Sequence, residues 1–135
     1  MIVGLKKETF NKLLDELHFS IPLVKGFMLV TCDGFVVASK IKNGVEDDDA
    51  AGVAAALINV SRLASEQLQS GDVESILVRT SSGWIAATLV SRELILLTIA
   101  GKEVILGQLQ YELARVKDTL SKTWNNTLEE ASNHP

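Results

Sequence analysis

Few side chains in this sequence could do chemistry. His18 and His134 are its only histidines and Cys32 its only cysteine. An imidazole near neutral pH can act as a general base, and a thiolate as a nucleophile. His18 falls at the end of a helical stretch, where it suits the negative end of the helix dipole. His134 lies in the C-terminal tail. Cys32 reads as a packed or turn-flanking thiol, and a lone cysteine forbids an intramolecular disulfide, which fits a reducing compartment. Asp15 and Glu16 are adjacent, so on a helix they do not converge on a common point. Arg62, Arg79, Arg92 and Arg115 pose one question. An arginine on a turn, as Arg92 is, can enter a partner's active site and stabilise charge on a transferring phosphoryl group. The ordinary reading of a turn arginine is solvation.

The motifs of common enzyme classes are missing. There is no G-x-x-x-x-G-K-[ST] loop, no G-x-G-x-x-G after a strand-like run and no Cys/His metal spacing. Glu46-Asp47-Asp48-Asp49 precedes a long helical stretch, where acidic residues cap free amides and suit the positive end of the dipole. A hard-cation loop would spread its oxygens over a longer loop. The sequence therefore predicts no catalytic residue, no metal and no cofactor, and a function that lies in binding.

Length and charge narrow the class further. The 135 residues make one domain, and 47% of them are hydrophobic. Either the strands are covered on both faces or apolar surface is kept for a partner. The net charge of −4 argues against nucleic acid, which calls for a clustered basic face. Lys6-Lys7 is the only adjacent basic pair, and Glu8 follows it. The longest uncharged runs, Ala50 to Ser61 and Thr80 to Ser91, fall short of the roughly 18 residues of a membrane span. The N-terminus has neither a long apolar core nor a small-residue cleavage site. These features predict a cytoplasmic protein.

The elements that would position these residues follow from periodicity and breakers. Phe10, Leu13, Leu14 and Leu17 predict a first helix from about Leu5 to His18, which Pro22 stops. Two strands follow, Gly26 to Cys32 and Phe35 to Ile41, joined at Asp33-Gly34 by a tight turn with positive φ. Asn43-Gly44 breaks the chain before a second helix, about Asp48 to Gln69, with Gly71 as its expected C-cap. This helix has two apolar stripes. Val53, Leu57, Val60, Ala64 and Leu68 are expected to face the sheet. Ala51, Ala54, Ala55, Ile58, Ser61 and Ser65 form a second stripe of small residues, across which another helix could approach closely. Asn59, Arg62, Glu66 and Gln69 make the polar face.

Three more strands are predicted, Val73 to Thr80, Trp84 to Val90 and Leu94 to Ile99, linked by short turns into a meander. The run from Leu94 reads as a central strand covered on both faces. A last helix, about Glu103 to Glu129, carries Ile105, Leu109, Leu113, Val116, Leu120 and Trp124 on one face. The chain thus divides into a domain over residues 1–120 and, over 121–135, an extension of the last helix and a tail. The order α-β-β-α-β-β-β-α predicts an α+β fold, a five-stranded antiparallel sheet with helices on both faces.

The stretch IPLVKGFMLVTCDGFVVAS resembles the opening of the Roadblock family: a proline-containing turn, a strand, a D-G hairpin and a second strand. The run GDVESILVRTSSGWIAATLVSRELILLTIAGKEVILGQLQYELARV is similar to that family's second half, including the Leu106-Gly107 pair that opens the last helix. The resemblance spans roughly Phe10 to Leu120. It implies a profilin-like sheet with the second helix on one face and the other two on the opposite face. It also implies a homodimer in which the Val73–Thr80 edge strands, with Ile76, Val78 and Thr80, pair across a two-fold axis while the second helices pack together. An apolar, proline-free edge agrees with this, because such an edge is a hazard unless paired or covered.

The resemblance further implies a regulator or scaffold for a small Ras-like GTPase. Bacterial members that act on gliding-motility GTPases reshape the switch regions of their partner, which points away from an arginine finger. The expected contacts are Asn59, Arg62 and Glu66, with Trp124 and Leu128 of the last helix as a second contact; for Trp124 the alternative is packing back on the domain. A structural adaptor of dynein-light-chain type and a small-molecule sensor remain as other functions.

Overall fold

The computed structural model describes residues 7–41 and 44–133. Leu5 as the start of the first helix, Lys6, Asn43, His134 and the end of the tail lie outside the described residues. In chain order the elements are α1 (Lys7–Ser20), β1 (Val24–Thr31), β2 (Val36–Ile41), α2 (Asp47–Gln67), β3 (Ser75–Thr80), β4 (Gly83–Leu89), β5 (Leu94–Gly101) and α3 (Leu106–Asn133). Order and type are as the periodicity predicts, and boundaries shift by about a turn or less.

The strands form one antiparallel sheet in the order β2-β1-β5-β4-β3. Central β5 is buried along nearly its whole length, including Thr98. Two apolar layers sandwich the sheet. On one side Phe10, Leu14 and Leu17 of α1 and Leu109, Leu113 and Leu120 of α3 meet Phe27, Leu29, Leu94 and Leu96. On the other side Ala50, Ala51, Ala54 and Ile58 of α2 meet Met28, Val30, Ile95 and Leu97.

Two of the three hairpins depend on a glycine. At β1–β2, Gly34 donates to the Thr31 carbonyl at 2.9 Å with φ +95°. This is a three-residue loop ending in a left-handed glycine rather than the two-residue turn expected from Asp33-Gly34. At β3–β4, Ser81-Ser82 joins paired Thr80 and Gly83. Gly83 has φ +152°, and a Cβ there would run into the Ala100 carbonyl oxygen of β5.

Four expectations about the helices are corrected. The stripes of α2 are exchanged: Ala54 and Ile58 are 0% exposed, whereas Val53 is 49%, Val60 64%, Leu63 57% and Leu68 78% exposed. Small residues let α2 settle close over the bulky Met28, Ile95 and Leu97, and its larger side chains point away. The helix also ends before Gly71: Leu68 is the C-cap and Gln69, at φ +52°, supplies the left-handed residue. At the other end Glu46 is the N-cap but makes no side-chain cap hydrogen bond, and the Asp47 carboxylate instead accepts from the Ser39 hydroxyl of β2 at 2.8 Å. In α3, Ile105 precedes the helix and is exposed, so the buried stripe begins at Leu109 and continues through Trp124 to Thr127.

Candidate functional site

The surface that could receive a partner is built on α2. Its inward side is used up by the sheet. Of the residues expected at a dimer contact, Ala51, Ala54 and Ile58 are buried within the protomer and cannot meet a second chain; Ala55 and Ser61 are half-buried, as is Ser65 further along the helix. Ser61 turns its hydroxyl back to the Leu57 carbonyl at 2.7 Å, and Ser65 donates to the Gly71 carbonyl, which holds the segment after the helix against it. The outward side is apolar instead, through Val53, Val60, Leu63 and Leu68. Sequence periodicity placed Val53, Val60 and Leu68 on the stripe expected to face the sheet and left Leu63 off both stripes; of that stripe Leu57 does pack against the core.

The helix crosses the sheet obliquely. Its start is tied to β2 by the Ser39–Asp47 bond, and its end lies over the entry to β3. The exposed Val60, Leu63 and Leu68 lie in the second half of α2, the half that Ser65 ties to Gly71 ahead of β3. Within β3, Ile76 and Val78 are half-buried on the α2 face and Thr80 is exposed. Leu77 is exposed on the opposite face, and the Arg79 guanidinium folds back over the Trp84 ring at 5.4 Å from its centroid. The one cationic side chain on this edge is thus drawn onto the sheet.

The polar row of α2 clamps two turns. Asn59 donates through Nδ2 to the Cys32 carbonyl at 3.4 Å, and Arg62 through Nη2 to the Arg92 carbonyl at 2.7 Å. The turns are themselves joined, with the Cys32 amide donating to the Glu93 carbonyl at 3.0 Å and its thiol facing the Arg92 carbonyl at 3.8 Å. Cys32 is half-buried in this junction. Arg92 is exposed. His18 packs edge-on against Phe27 with ring centroids 6.3 Å apart.

Arg62, Glu66 and Arg92 line one open cleft of about 1120 Å³ with Asp72, Glu74 and Lys117. Among the described residues none of these charges is held in an ion pair. The cleft is polar and wide, unlike the apolar concave pockets that bury small ligands. Asn59 stands beside it at the clamp. Of the three polar residues singled out on this helix, Arg62 and Glu66 line the cleft and Asn59 does not; Arg92 and Lys117 join them through chain folding, with no sequence spacing to mark it.

Trp124 does not join them. It is buried against Phe10, so it is a core residue and not a partner contact. Leu128 stays partly exposed one turn further on. Among the described residues no group of histidine, cysteine or carboxylate side chains could hold a metal, and no helix is long and apolar enough to cross a membrane.

A five-stranded antiparallel sheet with one helix on one face and two on the other is a profilin-like α+β module. The Roadblock/LC7 domain family model matches residues 10–100, and the chain belongs to that family. Myxococcus xanthus MglB superposes with a TM-score of 0.84 over 90% of this chain and 92% of its own, at 15% identity. The gliding protein MglB from Thermus thermophilus gives 0.73 over 83% and 85%, also at 15% identity. Profilin II of Acanthamoeba castellanii gives 0.62 over 83% and 96% at 13% identity. No curated protein matches the sequence.

Proposed function

We propose that this chain is a cytoplasmic, non-catalytic homodimer that binds a small Ras-like GTPase and biases its nucleotide state. The observation that carries the reading is the outward face of α2. Val53, Val60, Leu63 and Leu68 expose far more apolar surface than a solvated helix needs, beside a bare β3 edge, in a Roadblock/LC7 domain. A second copy covers the β3 side of that face. The GTPase meets the polar row Asn59, Arg62 and Glu66 and the charges of the cleft, with Leu128 as an outlying contact. The fold likeness to gliding-protein MglB supports this class of partner.

The mechanism is differential binding. A module that holds one switch conformation more tightly shifts the GTPase toward it by that difference in affinity and no more. Arg62 already donates to the Arg92 carbonyl.

The test is recovery of Ras-like GTPases from the same cell, gene neighbours first, on this protein with GDP or a GTP analogue loaded. Recovery that differs between the two states is expected. Equal recovery would exclude state-selective regulation and leave an adaptor.

A further inference from the structure

We propose that the strip of sheet beside α3, floored by Leu77 and Trp84, receives an amphipathic helix of a protein partner whose carboxylates meet Arg79 and Lys117. The strip lies on the face opposite α2, and the proposal rests on neither the homodimer nor the GTPase reading.

The sheet is five strands wide, and this face carries two helices. α1 lies toward β2, where its Asp15 pairs with Lys40 at 3.1 Å. α3 packs beside α1, with Arg115 donating to the Ser20 hydroxyl at 3.2 Å. The side of α3 that carries Lys117 looks the other way, toward Leu89 and Val90. β4 and β3 extend the sheet past it. Strands lie about 4.8 Å apart, so these two add about 9.6 Å of floor. Packed helix axes are roughly 8–10 Å apart, which makes the strip one helix wide.

Strand alternation decides what floors it. Ile76 and Ile85 belong to the layer under α2, so their chain neighbours Leu77 and Trp84 face the other way. Leu77 is 40% exposed and Trp84 half-buried. The two charges of the strip are both cationic. The Arg79 guanidinium rests over the Trp84 ring at 5.4 Å from its centroid, and Lys117 is half-buried. Among the described residues neither is held in an ion pair. Carboxylates stand only at its ends. Glu103 folds over Gly101 at one, and Asp72 and Glu74 belong to the cleft at the other. In a chain of net charge −4, a cationic apolar strip calls for an acidic partner.

The positions of the two cations set the pattern of the incoming helix. Arg79 lies opposite Trp84 in the ladder, and Lys117 stands by Leu89. Strand rise puts Trp84 and Leu89 about 17 Å apart. A helix rises about 1.5 Å per residue, so carboxylates about eleven residues apart reach both, and three full turns keep them on one stripe. Apolar residues at three- and four-residue spacing between them cover Leu77 and Trp84. A guanidinium stacked on a ring keeps its N–H edges free, and a carboxylate there makes charge-assisted hydrogen bonds.

The test uses the full chain and two synthetic helices of about 18 residues with leucines on one stripe. One carries two glutamates about eleven residues apart beside that stripe, the other lysines at the same places. Calorimetry is expected to show the glutamate peptide binding at least about tenfold tighter than the lysine peptide, and losing affinity as salt rises. In NMR spectra the Trp84 indole N–H resonance should shift on binding while that of buried Trp124 stays. Arg79→Glu with Lys117→Glu is expected to exchange the preference between the peptides. No binding by the glutamate peptide, equal binding of the two, or an unmoved Trp84 indole would overturn the proposal. Circular dichroism checks that the doubly reversed variant is folded. Should it not be, Arg79→Gln alone, at an exposed position, is expected to weaken the glutamate peptide about fivefold, and unchanged affinity there would overturn the proposal as well.

Discussion

The Trp124 indole packs against the Phe10 ring with centroids 6.2 Å apart and planes inclined at 56°. The contact ties the far half of α3 to the first turns of α1, so Trp124 belongs to the core layer. Truncating a buried indole removes its contacts and leaves a cavity. Trp124→Ala is expected to cost about 3–5 kcal/mol, read as a lower urea midpoint at unchanged slope. The folded fraction should bind a GTPase as before.

Thr98 buries a hydroxyl that has no hydrogen-bond partner, at 0% exposure in central β5. Valine keeps the shape and drops the unmet polar group. Thr98→Val should raise stability by about 1 kcal/mol, measured as a higher Tm. A lower Tm would show that the hydroxyl is satisfied.

Gly83 sits where no side chain fits, with positive φ and the Ala100 carbonyl oxygen in the Cβ position. Gly83→Ala should destabilise on the order of 2–4 kcal/mol, from backbone strain plus displacement of β5. Urea unfolding followed by fluorescence of the neighbouring Trp84 checks this.

The two sides of α2 should answer a charge in opposite ways. Val60→Glu with Leu63→Glu alters exposed positions, so circular dichroism and Tm should change little, while light scattering should show a dimer at least about tenfold weaker. Ala54→Glu forces a carboxylate under the helix, which a core does not tolerate unpaired. That variant should yield no folded protein.

Element types and order were legible because the chain states them locally, through Pro22, Asp33-Gly34, the meander turns and the leucine spacing of α1 and α3. The direction in which α2 faces was not. Its sequence shows two apolar stripes, and hydrophobicity alone sends the larger one inward. What decides is the partner layer: Met28, Ile95 and Leu97 fill the space, so Ala50, Ala51 and Ala54 fit beneath the helix and Val60 and Leu63 do not. Trp124 was legible as apolar but open between core and contact, because its partner Phe10 lies far away in the chain. The clamp of Asn59 and Arg62 on two turns was invisible for the same reason, since its acceptors are backbone carbonyls, which no residue type reveals.

Arg62→Ala removes the bond to the Arg92 carbonyl. It should cost about 1 kcal/mol and loosen the β4–β5 turn, seen as faster amide exchange at residues 91–93. GTPase affinity should fall with it. Arg62→Lys keeps charge without the planar fork and should restore binding only in part.

The two edges of the sheet are unequally guarded. At β2, Lys40 pairs with Asp15 of α1 and Ser39 bonds Asp47 of α2, so side chains on both faces are tied to a helix. Among the described residues β3 has no such tie. A strand added from another chain would meet fewer fixed side chains there than at β2, and mutations that free Lys40 or Ser39 are expected to bare the guarded edge as well.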